Sequence, residues 1–252
     1  MNFEQEFVAL FARIAPHYRR SELFYDFITL FALEFYLILY KDKSDKALDE
    51  KYQYAVKRYT EEERKQLSKL FVLVVEALEQ KSYDFLGTVF MNLDLGDQYR
   101  AQFFTPAPVA RTMAEIVLNQ CDRLIKQRGF ITLQEPTCGS GVMVIESYNF
   151  LARQGFNPQQ NMWVQARDID FTAAMMCYIQ MVLLNIPGEV IIGDTLMDDI
   201  HYHLYTPAHL MGNWSNRLTV LDSEPVIENV ETTETVQELP FEIDLETETV
   251  FY

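Results

Sequence analysis

Phe130-Ile-Thr-Leu-Gln-Glu-Pro-Thr-Cys-Gly-Ser-Gly141, followed by Val142 to Gln154, is the stretch of this chain that decides its fold. Phe130 to Glu135 reads as a strand, Pro136 to Gly141 as a tight loop and Val142 to Gln154 as a helix. Gly139 and Gly141 let the backbone approach a ligand closely, and the start of a helix adds free N–H donors and the positive end of a dipole. Such a loop suits a ligand that carries a carboxylate or a phosphate. A Gly-x-Gly turn on its own serves as often merely to turn the chain, so its weight comes from its surroundings. Val144 stands where a dinucleotide fingerprint would have its third glycine, which argues against a nicotinamide cofactor.

The pattern repeats downstream. Met162 to Ala166 is a second strand, followed by Arg167-Asp-Ile-Asp170 and an apolar helix from Phe171 to Asn185. Pro187-Gly188 ends that helix, and Glu189 to Ile192 is a third strand leading into Gly193-Asp-Thr195. Strands alternating with helices predict parallel pairing, right-handed crossovers and an α/β sheet. Ligands of open α/β sheets bind at the carboxyl edge of the strands. Asp168 is placed there to accept hydrogen bonds from ribose hydroxyls, and Asp194 to accept from the exocyclic amine of adenine. The plainer alternative is that Asp170 caps the next helix while Asp168 stands in solvent. Beyond Asp194 the pattern weakens, and His203 to Met211 offers one more strand or a short helix.

Upstream, Asn2 to about Asn92 has apolar residues at helical spacing, as in Phe7, Leu10, Phe11 and Ile14, with no glycine before Gly87. The expected organisation is a helical domain over 1–100, the α/β domain over 101–220 and an acidic tail over 221–252. Phe24 to Tyr40 is the most apolar run, but it contains Asp26 and Glu34 and is short for a bilayer span. It reads as a buried helix, with no membrane association. Gln102 to Pro108 reads as a loop that delivers its residues to the start of a helix running from Val109 to Gln127.

Composition sets outer limits. A formal net charge of -16 gives no surface that attracts nucleic acid by itself, although ten acidic residues lie after Arg217, where no Lys or Arg follows. Cys121, Cys138 and Cys177 have neither zinc nor disulfide spacing, and the acidic start lacks an export pattern, so a cytoplasmic location is expected. His201, His203 and His209 have no acidic or cysteine partners at the spacing of a closed metal site, so no metal is expected.

Taken in order, Ala101-Gln-Phe-Phe-Thr-Pro106, Glu135-Pro-Thr-Cys-Gly-Ser-Gly141, Asp168-Ile-Asp170 and Gly193-Asp-Thr-Leu196 resemble the gamma-type adenine-N6 DNA methyltransferases, and among them the modification subunits of type I restriction systems. The resemblance runs from about Asp84 to Leu196. It implies an S-adenosylmethionine-dependent, Rossmann-like α/β fold whose sheet is incomplete here, beside an all-helical N-terminal domain. S-adenosylmethionine would be the cofactor, DNA the substrate, and a specificity or restriction subunit the partner. Phe104, Thr105 and Pro106 would line the adenosine side, and Glu135, Thr137, Gly139 and Gly141 the methionine side. Asp168 would hold the ribose and Asp194 the adenine amine.

One expected element is missing. Enzymes of this kind hold the target adenine with an Asn or Asp-Pro-Pro-aromatic loop, because the amine is a poor nucleophile until its hydrogens are accepted and its ring is stacked. No such sequence occurs in the chain. Asn213 and Trp214 are the nearest substitute and the candidate catalytic pair; the plain alternative is that Trp214 packs on the sheet and Asn213 makes a turn. Two functions therefore stand open, adenine-N6 methyl transfer with a partner, and a non-catalytic interaction or regulatory role in a restriction-modification system.

Overall fold

Polar side chains start most of the early helices. In the computed structural model, which describes residues 2–95 and 105–223, Asn2 caps α1 (Phe3–Phe11) and Asp45 caps α3 (Lys46–Arg58). Thr60 and Glu63 form a reciprocal capping box on α4 (Glu61–Gln80), and Asp84 caps α5 (Phe85–Asn92). The long α2 (Arg20–Tyr40) has no side-chain cap and is fixed by packing. Phe27 meets Phe7 of α1 edge-on at 5.5 Å, Phe31 stacks on Phe71 of α4 at 4.2 Å, and Phe24 lies 5.4 Å from Phe90 of α5. By length and composition α2 is apolar enough to cross a membrane, yet Leu23, Phe24, Phe27, Ile28 and Leu33 are interior residues of this fold. Its buried Asp26 is compensated: Tyr59 donates to it at 2.6 Å and the Arg58 guanidinium pairs with it at 2.9 Å.

The second half holds α6 (Ala107–Val117), α7 (Cys121–Arg128), β1 (Ile131–Glu135), α8 (Val142–Arg153), α9 (Pro158–Asn161), β2 (Met162–Asp168), α10 (Phe171–Leu183), β3 (Gly188–Asp194), β4 (Asp199–Tyr205), α11 (Pro207–Met211) and α12 (Trp214–Ser223). The described strands form one sheet in the order β1-β2-β3-β4, with the first three parallel and β4 antiparallel to β3. The α/β sheet expected from the sequence is thus present, open at β1 among the described residues. Two local expectations change. The helix foreseen over Val109 to Gln127 is two helices, because α6 ends at the buried Leu118 and α7 restarts at Cys121. The stretch from His203 to Met211 is both the end of a strand and a helix, β4 and α11.

Neighbouring parallel strands joined by right-handed crossovers put α8 and α10 on the same face of the sheet. That face is apolar, with Val164, Ala166, Val190, Ile192 and Leu204 buried against the helices. Helix α10 in turn packs on α2, and the buried apolar contacts run unbroken from Phe7 to Val190. Alternation along the strands gives the opposite face a polar row. Gln134 Nε2 donates to Gln165 Oε1 at 3.0 Å, Gln165 Nε2 to Glu189 Oε1 at 2.6 Å, and Glu189 Oε2 meets His203 Nε2 at 2.6 Å. Burial would raise the Glu189 carboxyl, but the bonds from His203 and Gln165 outweigh it and hold it below the usual range. Residues 96–104 and the acidic segment 224–252 lie outside the described residues.

Candidate functional site

Strands β1, β2 and β3 each end in a carboxylate. Glu135 pairs in register with Ala166, two residues before Asp168, and Asp168 pairs with Ile192, two before Asp194. The three acids therefore climb the carboxyl edge as a staircase, and strand parity sets Glu135 and Asp168 on the helix-covered side where α8 and α10 begin. Glu135 accepts from the Thr137 N–H at 3.4 Å. Burial pushes its carboxyl up, and the neighbouring Asp168 charge adds to the rise.

Asp168 is the hinge pin of the edge. Its Oδ2 accepts from the Gly139 N–H at 2.8 Å and its Oδ1 from the Asp170 N–H at 2.9 Å. Burial raises its carboxyl above the usual range, while these two donors pull the other way. Asp170 caps α10 through the Ala173 N–H at 2.9 Å, as the sequence alternative allowed, but Asp168 is half-buried rather than standing in solvent. Asp194 Oδ1 accepts from the N–H groups of Leu196 at 2.8 Å and Met197 at 3.2 Å, which turns the chain after β3.

The glycine loop is held from several sides. Cys138 N–H donates to Arg167 O at 2.7 Å, and Thr195 Oγ1 donates to Pro136 O at 2.6 Å, so the ends of β2 and β3 both grip it. Gly139 and Gly141 have φ values of +53° and +102°, in the region that side chains resist. A Cβ on Gly141 would stand 2.9 Å from Cys177 Sγ on α10. Gly141→Ala is accordingly expected to lower stability by about 2–4 kcal/mol, combining backbone strain with overpacking. A urea midpoint equal to that of the unmodified protein would show that α10 gives way instead.

Thr105 and Pro106 are exposed, Pro106 at the cap of α6. Arg111 pairs with Glu146 at 3.3 Å and Arg153 with Glu115 at 3.5 Å, which sets α6 parallel to α8 with both N-termini at the loop end. The structure therefore brings Thr105, Pro106, Glu135, Thr137, Gly139, Gly141, Asp168 and Asp194 to one edge, while Phe104 lies outside the described residues. Sequence reasoning missed the apolar rim beside the acids. Ile169, directly after Asp168, is 63% exposed, and Leu196 after Asp194 is 95% exposed. Their signal was an apolar residue one position after Asp168 and two after Asp194, overlooked because isolated loop hydrophobics carry no period.

Asn213 and Trp214 are corrected. Trp214 is fully buried, edge-on to Phe130 at 5.0 Å and clustered with Trp163. Phe130 and Trp163 mark the starts of β1 and β2, the opposite end of the strands from Asp168 and Asp194. Asn213 has φ +53° and accepts from Asn216 Nδ2 at 2.8 Å, so it is a turn residue. The pair cannot act on a ligand at the carboxyl edge. These three histidines have separate partners: His201 pairs with Asp199, His203 with Glu189, and His209 with both the Trp163 indole N–H and Ser215 Oγ, each at 2.9 Å. Among the described residues no three His, Cys, Asp or Glu converge on a metal position. A cleft of about 320 Å³ between α2, α3 and the start of α10 touches the edge only through Asp170.

Chemically, the edge offers carboxylate acceptors, an apolar rim and the uncapped start of α8. Three clustered acids repel a phosphate-bearing ligand and favour one rich in donors, such as ribose hydroxyls, an ammonium and an exocyclic amine. The first-turn N–H groups of α8 suit one carboxylate.

A family model for N-6 DNA methylases matches residues 82–230, more than half of the chain. No curated protein sequence matches. Among solved structures, the chain is similar to one from Listeria monocytogenes described as a class I S-adenosylmethionine-dependent methyltransferase, with 15% identity, a TM-score of 0.41, and coverage of 77% of this chain and 54% of that one. It is also similar to the type I restriction-modification methyltransferase subunit of Streptococcus thermophilus, with 17% identity, a TM-score of 0.40, and coverage of 78% and 58%. A third is a Vibrio vulnificus chain described as the modification subunit of a type I restriction enzyme, with 18% identity, a TM-score of 0.31, and coverage of 55% and 25%. The chain spans just over half the length of the first two.

Proposed function

We propose that this chain, which belongs to the N-6 DNA methylase family, binds S-adenosylmethionine at the carboxyl edge of its sheet and serves methyl transfer to the N6 of adenine in DNA. The observation that carries the reading is the staircase of Glu135, Asp168 and Asp194 around a glycine loop that opens a helix. In this arrangement Asp168 accepts from the ribose hydroxyls through the lone pairs left after the Gly139 and Asp170 bonds. Asp194 accepts from the adenine amine and Ile169 lies against the ring. Glu135 faces the ammonium of the methionine part, and the start of α8 receives its carboxylate. The sulfonium methyl of the bound cofactor would be the group transferred.

The base-holding step has no counterpart in this sequence, since Asn213 and Trp214 sit at the wrong end of the strands and no Asn-Pro-Pro-aromatic sequence occurs. Under this reading, adenine methylation draws that loop and the contacts to DNA from outside these 252 residues. The same observation favours the second reading, a cofactor-binding interaction protein of a restriction-modification system that does no chemistry itself. Radiolabelled S-adenosylmethionine and adenine-containing duplex DNA separate the two. Label is expected in the DNA when the chain is mixed with the specificity and modification subunits of its own system, beyond what those subunits transfer alone. A mixture in which the chain adds nothing refutes the catalytic reading and leaves the interaction reading.

A further inference from the structure

We infer that Asp84, which caps α5 in the helical N-terminal region, is a positioning residue that sets the glycine loop for its ligand. The inference rests on the reading that this loop binds S-adenosylmethionine. Asp84 lies 56 residues before Ser140, yet its Oδ2 stands 2.5 Å from Ser140 Oγ. Its Oδ1 accepts from Gln180 Nε2 at 2.8 Å and from the Gly87 N–H at 2.9 Å. Gln180 closes the network. Its Nε2 also donates to Ser140 O at 2.8 Å, and its Oε1 accepts from the Leu86 N–H at 3.1 Å. Ser140 and Gln180 are completely buried, so neither can exchange these bonds for water.

The location gives the network its meaning. Ser140 stands between Gly139, whose N–H is held by Asp168, and Gly141, where α8 begins. The loop is thus clamped on its ligand side by Asp168 and Thr195 and on its inner side by Asp84 and Gln180. The N–H groups that would meet a carboxylate keep their direction only if both clamps hold. Gly87 belongs to the same device: a Cβ there would overlap Asp84 Oδ2 and Ser140 Oγ, so only glycine lets α5 come this close. Burial raises the Asp84 carboxyl above its ordinary range, and the bonds from Ser140, Gln180 and Gly87 oppose that rise. The helical region therefore supports the proposed ligand loop through Asp84 at the start of α5.

Asp84→Ala, Asp84→Asn and Ser140→Ala in the full chain test this with two readouts, calorimetric affinity for S-adenosylmethionine and hydrogen exchange of the amides of residues 138–142. Asp84→Ala removes three accepted hydrogen bonds, of which the one from Ser140 reaches the loop directly, and is expected to weaken affinity about tenfold or more and to speed loop exchange about tenfold. Exchange in α1 and β3 should stay unchanged, which a general loss of stability would not allow. Asp84→Asn keeps an acceptor for Gln180 and Gly87 and offers a donor to Ser140, so it should restore affinity to within about threefold. Loop exchange and affinity both unchanged in a folded Asp84→Ala protein overturn the inference. Should Asp84→Ala fail to fold, Ser140→Ala carries the same expectation, and unchanged loop exchange in it overturns the inference equally. If the unmodified protein binds no S-adenosylmethionine, the cofactor reading fails by itself, and loop exchange alone decides whether Asp84 sets the loop.

Discussion

Asp168→Ala is expected to weaken S-adenosylmethionine binding by about two orders of magnitude or more, the largest effect of any single change at the edge. The side chain does two things at once. Under the proposed function it accepts from the ribose hydroxyls, and hydrogen bonds to a charged group contribute about 1.5–3 kcal/mol. It also holds the Gly139 and Asp170 N–H groups, so its removal frees the glycine loop and the turn into α10 together. Asp168→Asn should fall between, because one end of the amide presents hydrogens to a backbone donor. Asp194→Ala removes a turn acceptor and one contact to the adenine amine, with an expected loss of about tenfold. Calorimetry on the three variants checks the order. Equal affinity in Asp168→Ala and the unmodified protein would remove the carboxyl edge from ligand binding.

Trp214→Ala is expected to destabilise the protein by about 3–5 kcal/mol while leaving the ligand affinity of the folded protein within about twofold. Trp214 is fully buried against Phe130, and the Arg217 guanidinium lies 3.6 Å over its ring. Leu218 of α12 packs against the same cluster and His209 of α11 accepts from the Trp163 indole, but Trp214 is its largest fully buried side chain. The indole Nε1 has no hydrogen-bond partner among the described residues, so Trp214→Phe should lose only part of this stability. Urea unfolding gives the magnitude. A Trp214→Ala protein that stays as stable as the unmodified one but loses binding would return this residue to the site.

Much of this architecture was legible because it is written in local periods. The three parallel strands, the helices between them and the acids at their ends follow from apolar alternation, glycine placement and the direction of βα units, and the structure keeps each within a residue or two. Strand β4 was harder to read: as the outer strand it leaves Asp199, Ile200, His201 and His203 exposed, so it has no buried stripe to announce it. The break between α6 and α7 was hidden because Leu118 is apolar and continues the helical spacing while the chain turns. Asn213 and Trp214 misled for a different reason. An Asn beside an aromatic has meaning only at a given end of the sheet, and the turn after β4 carries these two to the other end. The Asp84 clamp lay beyond sequence reasoning altogether, since its bonds join residues 56 and 96 positions apart.

The central claim is that the carboxyl edge is an S-adenosylmethionine site, and titration of the full chain with that cofactor by calorimetry, beside a parallel titration with a nicotinamide dinucleotide, tests it most directly. Saturable heat with S-adenosylmethionine, none with the dinucleotide, and clear weakening by Asp168→Ala are the predicted results. A folded protein that gives no saturable heat with S-adenosylmethionine would contradict the claim and leave the acids and the glycine loop as scaffold.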